Sequence, residues 1–246
     1  MIKKSNLIKF GSAILTSLFI ASCDGGSDSD SDREAPFIRT DMTIEASGPI
    51  GFSGGFFVSH SGSFDFFDIG EAASDPVTEF AETGNPLSLV DTLASGVPGD
   101  TELIFSTIRP GTSSTQTLDI SEVNRYLTFV SQVFPSSDTF IGNDDPLEFD
   151  IYQMLEDSPD GTVTIEITEL YDAGTEVNDF LTSNGNEFIA GLPEGDPEAG
   201  EDENGVITLH TPTFYNEYLN PGDFDVSTLN PNGAVVARIT FTIAEQ

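Results

Sequence analysis

The stretch Tyr126-Leu-Thr-Phe-Val-Ser-Gln-Val-Phe134, followed by Pro135-Ser-Ser-Asp-Thr-Phe-Ile-Gly142, decides the fold. Its first nine residues are apolar on both faces, the pattern of a strand buried in the middle of a sheet. The Pro-Ser-Ser-Asp that follows reads as a loop at the strand end. Strands with the simpler alternation surround it in the sequence. Val235, Ala237, Ile239, Phe241 and Ile243 alternate with Arg238, Thr240 and Thr242. Val163, Ile165 and Ile167 do so with Thr162, Thr164 and Glu166, and Met42, Ile44 and Ala46 with Thr43 and Glu45. Leu147, Phe149 and Ile151 alternate with Glu148 and Asp150 and read as a further strand. Phe56-Phe57-Val58, Leu103 to Ile108 and Gly205 to Leu209 are additional strand candidates.

Helical signals are confined to one insertion. Asp75-Pro76 opens Val77 to Glu82, which Gly84 ends, and Asn85-Pro86 opens Leu87 to Ala94, which Gly96 ends. Each has a capping residue, proline at the first helical position and glycine just past the end. The pattern predicts an all-β, antiparallel β-sandwich with a short helical insertion, built as one domain over residues 36–246.

The N-terminus predicts export. Lys3, Lys4 and Lys9 precede a short apolar run, Ile14 to Ile20, too short to span a bilayer. Ile20-Ala21-Ser22-Cys23 resembles the lipobox of bacterial lipoproteins, in which the cysteine is acylated. Residues 1–22 therefore read as a lipoprotein signal and Cys23 as the lipidation site, anchoring the chain to a membrane. Cys23 is the only cysteine, so no intrachain disulfide forms. Asp24 follows it; in some bacteria that position favours inner-membrane retention, so outer-membrane or surface display and the periplasmic face of the inner membrane both stand. Residues 23–35, rich in Gly, Ser and Asp, read as a flexible acidic tether.

The whole chain carries a formal charge of −34. Removing the signal takes three of its eight basic residues and leaves five arginines against 42 acidic residues, a net −37. Such a surface repels nucleic acid and excludes it as a partner. General adaptation to a saline setting accounts for most of this acidity, so only carboxylates gathered in loops argue for a specific ion. Two loops do so: Pro135 to Gly142, with Asp138, and Tyr171-Asp172-Ala173-Gly174-Thr175-Glu176. Both place carboxylates beside turn-forming residues, as a hard-cation site requires, though Asp138 and Asp172 capping their own turns is the competing reading. Asp144 and Asp145 are nearby candidates, and the acidic run Glu194 to Gly205, which lacks the spacing of a helix-loop-helix calcium loop, reads as a solvated loop, with a secondary weak cation site as the lesser alternative.

Gly51-Phe52-Ser53-Gly54-Gly55 fits the G-x-S-x-G nucleophile pattern, but strand-like Phe56-Phe57-Val58 follows where a helix is needed, so a glycine-rich turn or bulge is the better reading. His60 and His210 are the only histidines, too few nitrogen or sulfur donors for zinc. His60 reads as a hydrogen-bonded loop histidine. Phe56, Phe57, Phe64, Phe66 and Phe67 read as core, with an exposed aromatic platform as the alternative.

From about Ser59 to Ile243 the chain resembles the spondin N-terminal (F-spondin) domain. Ser59-His60-Ser61-Gly62-Ser63-Phe64, Phe80-Ala81-Glu82-Thr83-Gly84, Tyr126 to Gly142, Leu170 to Glu176 and Val235 to Ile243 carry the resemblance in order. The stretch before Ser59 and residues 178–204 match less well, and the cysteines of animal members are absent. The resemblance implies an antiparallel β-sandwich related in shape to calcium- and lipid-binding domains. It also implies a calcium ion held by Asp138, Asp172 and Glu176, where glutamate at 176 departs from the aspartate of many animal members. The expected function is a non-enzymatic, lipid-anchored, calcium-binding envelope module for adhesion or ligand binding, with an unknown protein or glycan partner. A periplasmic or surface hydrolase and a purely structural envelope component are the alternatives.

Overall fold

The computed structural model describes residues 37–47, 51–95, 99–134, 136, 138–177, 201–210 and 235–244. The signal, Cys23 and the tether lie outside these residues, as does most of the acidic run before Glu201. The described residues belong to one compact unit, Ala35–Gln246. Among them no helix is long and apolar enough to cross a membrane.

In chain order the elements are β1 (Phe37–Ala46), β2 (Gly51–His60), α1 (Asp75–Thr83), a 3-10 helix (Pro86–Ser95), β3 (Thr101–Ile108), β4 (Ser113–Ser121), β5 (Tyr126–Phe134) and β6 (Thr139–Gly142). Then come β7 (Phe149–Asp150), α2 (Ile151–Asp157), β8 (Thr162–Ile167), β9 (Tyr171–Asp172), β10 (Thr208–Leu209) and β11 (Ala237–Ile243). The described strands form two antiparallel sheets. One has the order β4-β1-β11-β8, the other β10-β9-β6-β5-β2-β3, with β7 also pairing with β5. The chain crosses between the sheets repeatedly, from β1 to β2, β3 to β4, β4 to β5, β7 to β8, β8 to β9 and β10 to β11.

The core lies between the sheets. Met42, Ile44 and Ala46 of β1, Ile239 and Phe241 of β11, Leu118 and Ile120 of β4 and Val163, Ile165 and Ile167 of β8 meet Phe52, Phe57, Phe129 and Ile141 of the other sheet. Alternation along β1, β8 and β11 puts every second residue in this layer. β5 is different, as its composition requires: Leu127 to Val133 are all buried, because each of its faces is covered.

The second face of β2 and β5 carries a separate apolar layer. Phe56, Val58 and Val130 pack there with Phe64, Phe66 and Phe67, with Val77, Phe80 and Ala81 of α1, and with Phe140, Tyr171 and Ile207. Its rings meet edge-on, Phe56 to Phe66 at 4.9 Å and Phe67 to Phe140 at 5.0 Å between centroids, the favoured arrangement. The aromatic stretch is core rather than an exposed platform.

The helical insertion forms, its first helix as α1, capped at Ser74 rather than Asp75, and its second as a 3-10 helix whose expected end, Gly96, lies outside the described residues. Pro76 sits in the first turn of α1, and Gly84 ends it in the left-handed conformation, its N–H bonded to Phe80 O. A buried polar relay ties α1 to the sheet: Ser53 bonds the Gln132 side chain, whose amide donates to Ala81 O at 2.7 Å. Ser53 therefore ties β2 to a helix, and β2 continues past it as strand where the nucleophile pattern needs a helix. The glycines around it form a bulge in β2, where the register shifts between Ser53 and Gly55. Gly54, at φ 112°, lies against the end of α1; a Cβ there would stand 2.0 Å from Gly84 O.

Two local expectations change. The alternation of Leu147, Phe149 and Ile151 does not continue as a strand, since Ile151 begins α2. Asp150 caps that helix by accepting the Gln153 N–H at 3.0 Å, and Ile151 and Leu155, one turn apart, face the core. Helical structure is thus not confined to the insertion. The stretch Thr139 to Gly142, expected as loop, is strand β6, paired with β5 and β9.

Candidate cation site

The site begins at the turn after β5. The Ser136 hydroxyl donates to Val133 O at 2.7 Å and accepts the Thr139 N–H at 3.1 Å, folding the chain back within a few residues. That turn delivers Asp138 to the start of β6. Thr139 then pairs with Asp172 and Phe140 with Tyr171, so β6 and β9 bring the two acidic segments side by side. The Ala173 N–H donates to the Asp138 carbonyl at 3.3 Å.

Asp138 is fully buried. Its Oδ2 accepts three hydrogen bonds: from Thr175 N at 2.9 Å, Glu176 N at 3.1 Å and the Thr175 hydroxyl at 3.3 Å. Its Oδ1 is also buried and has no hydrogen-bond partner among the described residues. Burial, and then the neighbouring charge of Asp172, push the Asp138 carboxyl up to about 7, against the pull of the Thr175 and Glu176 bonds. Asp138 thus sits in a poorly solvated place within the electrostatic reach of Asp172, an arrangement that favours a proton or a cation.

Asp172 is half-buried and accepts the Gly174 N–H at 2.8 Å, so it also closes its own turn. Its other oxygen lies 3.9 Å from Nδ1 of His210. Burial lowers the His210 imidazole to about 3, so the ring is neutral and supplies no countercharge. His210 Nε2 instead bonds the Thr139 hydroxyl at 2.9 Å. Gly174, at φ 68°, makes the tight return that carries the chain to Glu176. Glu176 is 5% exposed and forms a bridge pair with Asp202.

Asp138 and Asp172 each accept backbone N–H groups, as aspartates that close turns do, and β6 and β9 set their segments side by side. Glu176 is joined to Asp138 through its backbone N–H. Among the described residues no group of three or more His, Cys, Asp or Glu side chains stands ready-arranged to hold a metal ion. The fit to a cation rests on the unpartnered Asp138 Oδ1 and on the charge pair with Asp172, both oxygen donors of the kind calcium takes.

Asp144 and Asp145 lie past the far end of β6, about 20 Å from Asp138 along an extended chain. There they cap turns, Asp144 accepting the Ile69 N–H at 2.7 Å and Asp145 that of Leu147 at 2.8 Å. His60 ends β2 rather than lying in a loop. Its Nδ1 accepts the Gly62 N–H at 3.0 Å and its Nε2 bonds the Thr128 hydroxyl at 2.9 Å, while burial lowers it to about 4. A cleft of about 130 Å³ between Glu148, Phe149, Glu166 and Glu169 is separate from these residues.

Sequence reasoning missed Glu82 and Asp202 as neighbours of the site. Each reaches it through contacts distant in sequence, and no local pattern announces them.

No curated protein matches the chain. The sequence model of the Spondin_N family matches residues 46–188, more than half of the chain. The matched region holds β2 to β9, both helices and both acidic segments; β11, the strand at the centre of the smaller sheet, lies beyond it. The chain belongs to the spondin N-terminal family.

Proposed function

We propose that this protein is a lipid-anchored, calcium-binding module of the bacterial cell envelope that works by adhesion or ligand binding rather than catalysis. The observation that carries the calcium reading is Asp138 Oδ1, a buried carboxylate oxygen with no hydrogen-bond partner among the described residues, beside the charge of Asp172. Asp138 and Asp172 would hold the ion and Glu176 would join them, with backbone carbonyls or water completing the six to eight oxygens that calcium takes. The ion would neutralise the buried pair and brace the start of β6 to β9. Its role is structural: the site supplies acceptors and a neutral, buried histidine, and no activated nucleophile.

Anchoring rests on the lipobox-like Ile20-Ala21-Ser22-Cys23. Family membership supports a binding role and leaves the protein or glycan partner unnamed, since fold does not fix partner. The first test is the metal content of the purified domain from Pro36 onward and its melting with calcium or chelator. Equal melting in both ends the calcium reading. A Cys23→Ser variant that still partitions with membranes ends the anchoring reading.

A further inference from the structure

The two ends of the sandwich differ in chemistry. At one of them Phe37 opens β1, opposite Ser121 at the close of β4. Tyr126 opens β5 there, opposite His60 at the close of β2 and Asp150 of β7. β11 closes at Ile243, one strand from Thr40. α2 crosses this same end, from β7 of one sheet to β8 of the other. The Ser136 turn and Asp138 lie at the opposite end, past Phe134 and about 26 Å from Tyr126 along β5.

The first end carries apolar side chains that the sandwich leaves uncovered. Phe37 is 52% exposed, Val123 55% and Leu147 52%, and Met154 of α2 and Ile243 are exposed at the same end. Val123 sits in the turn after Ser121, which the Ser121 N–H closes on Asn124 O at 3.1 Å. Two arginines lie among these residues. The Arg39 guanidinium stands 5.6 Å from the centre of the Phe37 ring, and that of Arg125 5.9 Å from Tyr126 and 5.7 Å from Tyr152. Each is paired with a carboxylate, Arg39 with Asp119 and Arg125 with Asp150. Exposed apolar groups beside aromatic rings and paired charges suit the boundary between water and lipid. Glu122, Glu156 and Asp157 are exposed here too, so a strongly anionic surface is repelled.

The course of the chain names the occupant. Residues 24–36 join Cys23 to Phe37 and reach at most about 50 Å. They enter the sandwich at this end, and the far end of β1 lies about 30 Å further on. An anchor at Cys23 therefore holds this end over lipid at high effective concentration. We propose that the end of the sandwich bearing Phe37 and Val123 rests on the zwitterionic headgroup layer of the membrane that holds Cys23, so that the Asp138 turn is presented away from it. The proposal rests on the anchoring reading above. The surface is too small and too acidic to hold a membrane alone; it orients a domain that the acyl chains retain.

The chain has no tryptophan, so a single one reports on its own surroundings. The test places Phe37→Trp, Val123→Trp or Ser113→Trp in the chain processed from its full precursor, on phosphatidylcholine vesicles that contain brominated lipid. Ser113 is exposed at the far end of β4 and serves as the reference. Emission from the first two should shift to the blue and be quenched by the brominated lipid, while that from the third stays as in water. In a second series, F37S/V123S should cost a Leu147→Trp reporter most of its quenching. All these positions are exposed, so the core is untouched. Equal quenching at both ends of the sandwich, no quenching at positions 37 and 123 in a vesicle-bound chain, or undiminished quenching in F37S/V123S overturns the proposal and leaves the anchor standing. A processed chain that stays in solution overturns both.

Discussion

Asp138 accepts the backbone N–H of Glu176 at 3.1 Å, so the first acidic segment fixes the position of the second through its backbone. The bond joins residues 38 apart in the chain. It holds the two segments as a preformed corner, so that the proposed ion would adjust side chains rather than assemble loops.

Calcium should raise the melting temperature. At a free concentration a hundred times Kd the gain is about 2.7 kcal/mol, which corresponds to roughly 5–10 °C for a domain of this size. Asp172→Asn should remove most of it. Asp144→Asn, at the other end of β6, should lower the baseline yet leave the calcium increment unchanged. Differential scanning calorimetry with calcium and with chelator reads both.

The calcium-free protein should lose stability through Asp138 as pH rises. Its folded carboxyl lies near 7 against an ordinary 3.8, so the folded state holds a proton that the unfolded chain has released between those values. Stability from this group is complete below about 4 and declines towards about 7. His60 and His210 act in the opposite sense. Both are depressed from 6.5, to about 4 and about 3, so their contribution is complete above 6.5 and falls away as the solution is acidified. Comparison of the parent with Asp138→Asn cancels the histidines. The stability difference should favour the parent progressively less from pH 4 to pH 7, and added calcium should abolish that trend. A flat difference without calcium refutes it.

Gly174→Ala should cost more than about 1 kcal/mol, because its φ of 68° is unfavourable for alanine and the new Cβ meets Val206 O at 2.7 Å. The damage should fall on the 201–210 arm before the sandwich. Hydrogen exchange should show Gly205 and Ile207 amides opening first; uniform loss of protection would contradict this.

Gln132→Ala should destabilise by about 2–3 kcal/mol, since it takes a partner from both the Ser53 hydroxyl and the Ala81 carbonyl in a buried setting. Ser53→Ala combined with Gln132→Leu should recover part of the loss, because an apolar pair leaves fewer polar groups unsatisfied. Urea denaturation of the three variants checks the order.

How far the sequence carries the reader follows from where each signal is local. β1, β8 and β11 bury one face each, so their alternation is written in consecutive residues, and the doubly apolar β5 announced its central place. β4 escaped notice because Ser113 to Thr117 lie exposed on an edge strand and only Leu118 to Ser121 show a buried pattern. α2 escaped because Phe149 and Ile151 alternate as strand residues do, and only the Asp150 cap and the Ile151–Leu155 spacing reveal a helix. Asp138 and Asp172 were legible through turn chemistry and family motif. Their neighbours were not: Glu82 arrives on α1, and Asp202 on a segment that reads as solvated loop and is indeed exposed, though its backbone is paired.

The apolar layer beneath the site has a consequence of its own. It draws Phe140 and Tyr171 from the two strands that carry the aspartates, Ile207 from the arm and Phe80 from α1, and it is distinct from the layer between the sheets. The described residues therefore form two apolar layers that share β2 and β5 as a common wall. Loss of packing in the smaller layer is expected to come before loss of the layer between the sheets. A chain so built would keep its scaffold while the face that carries Asp138 and Asp172 loosens and recloses.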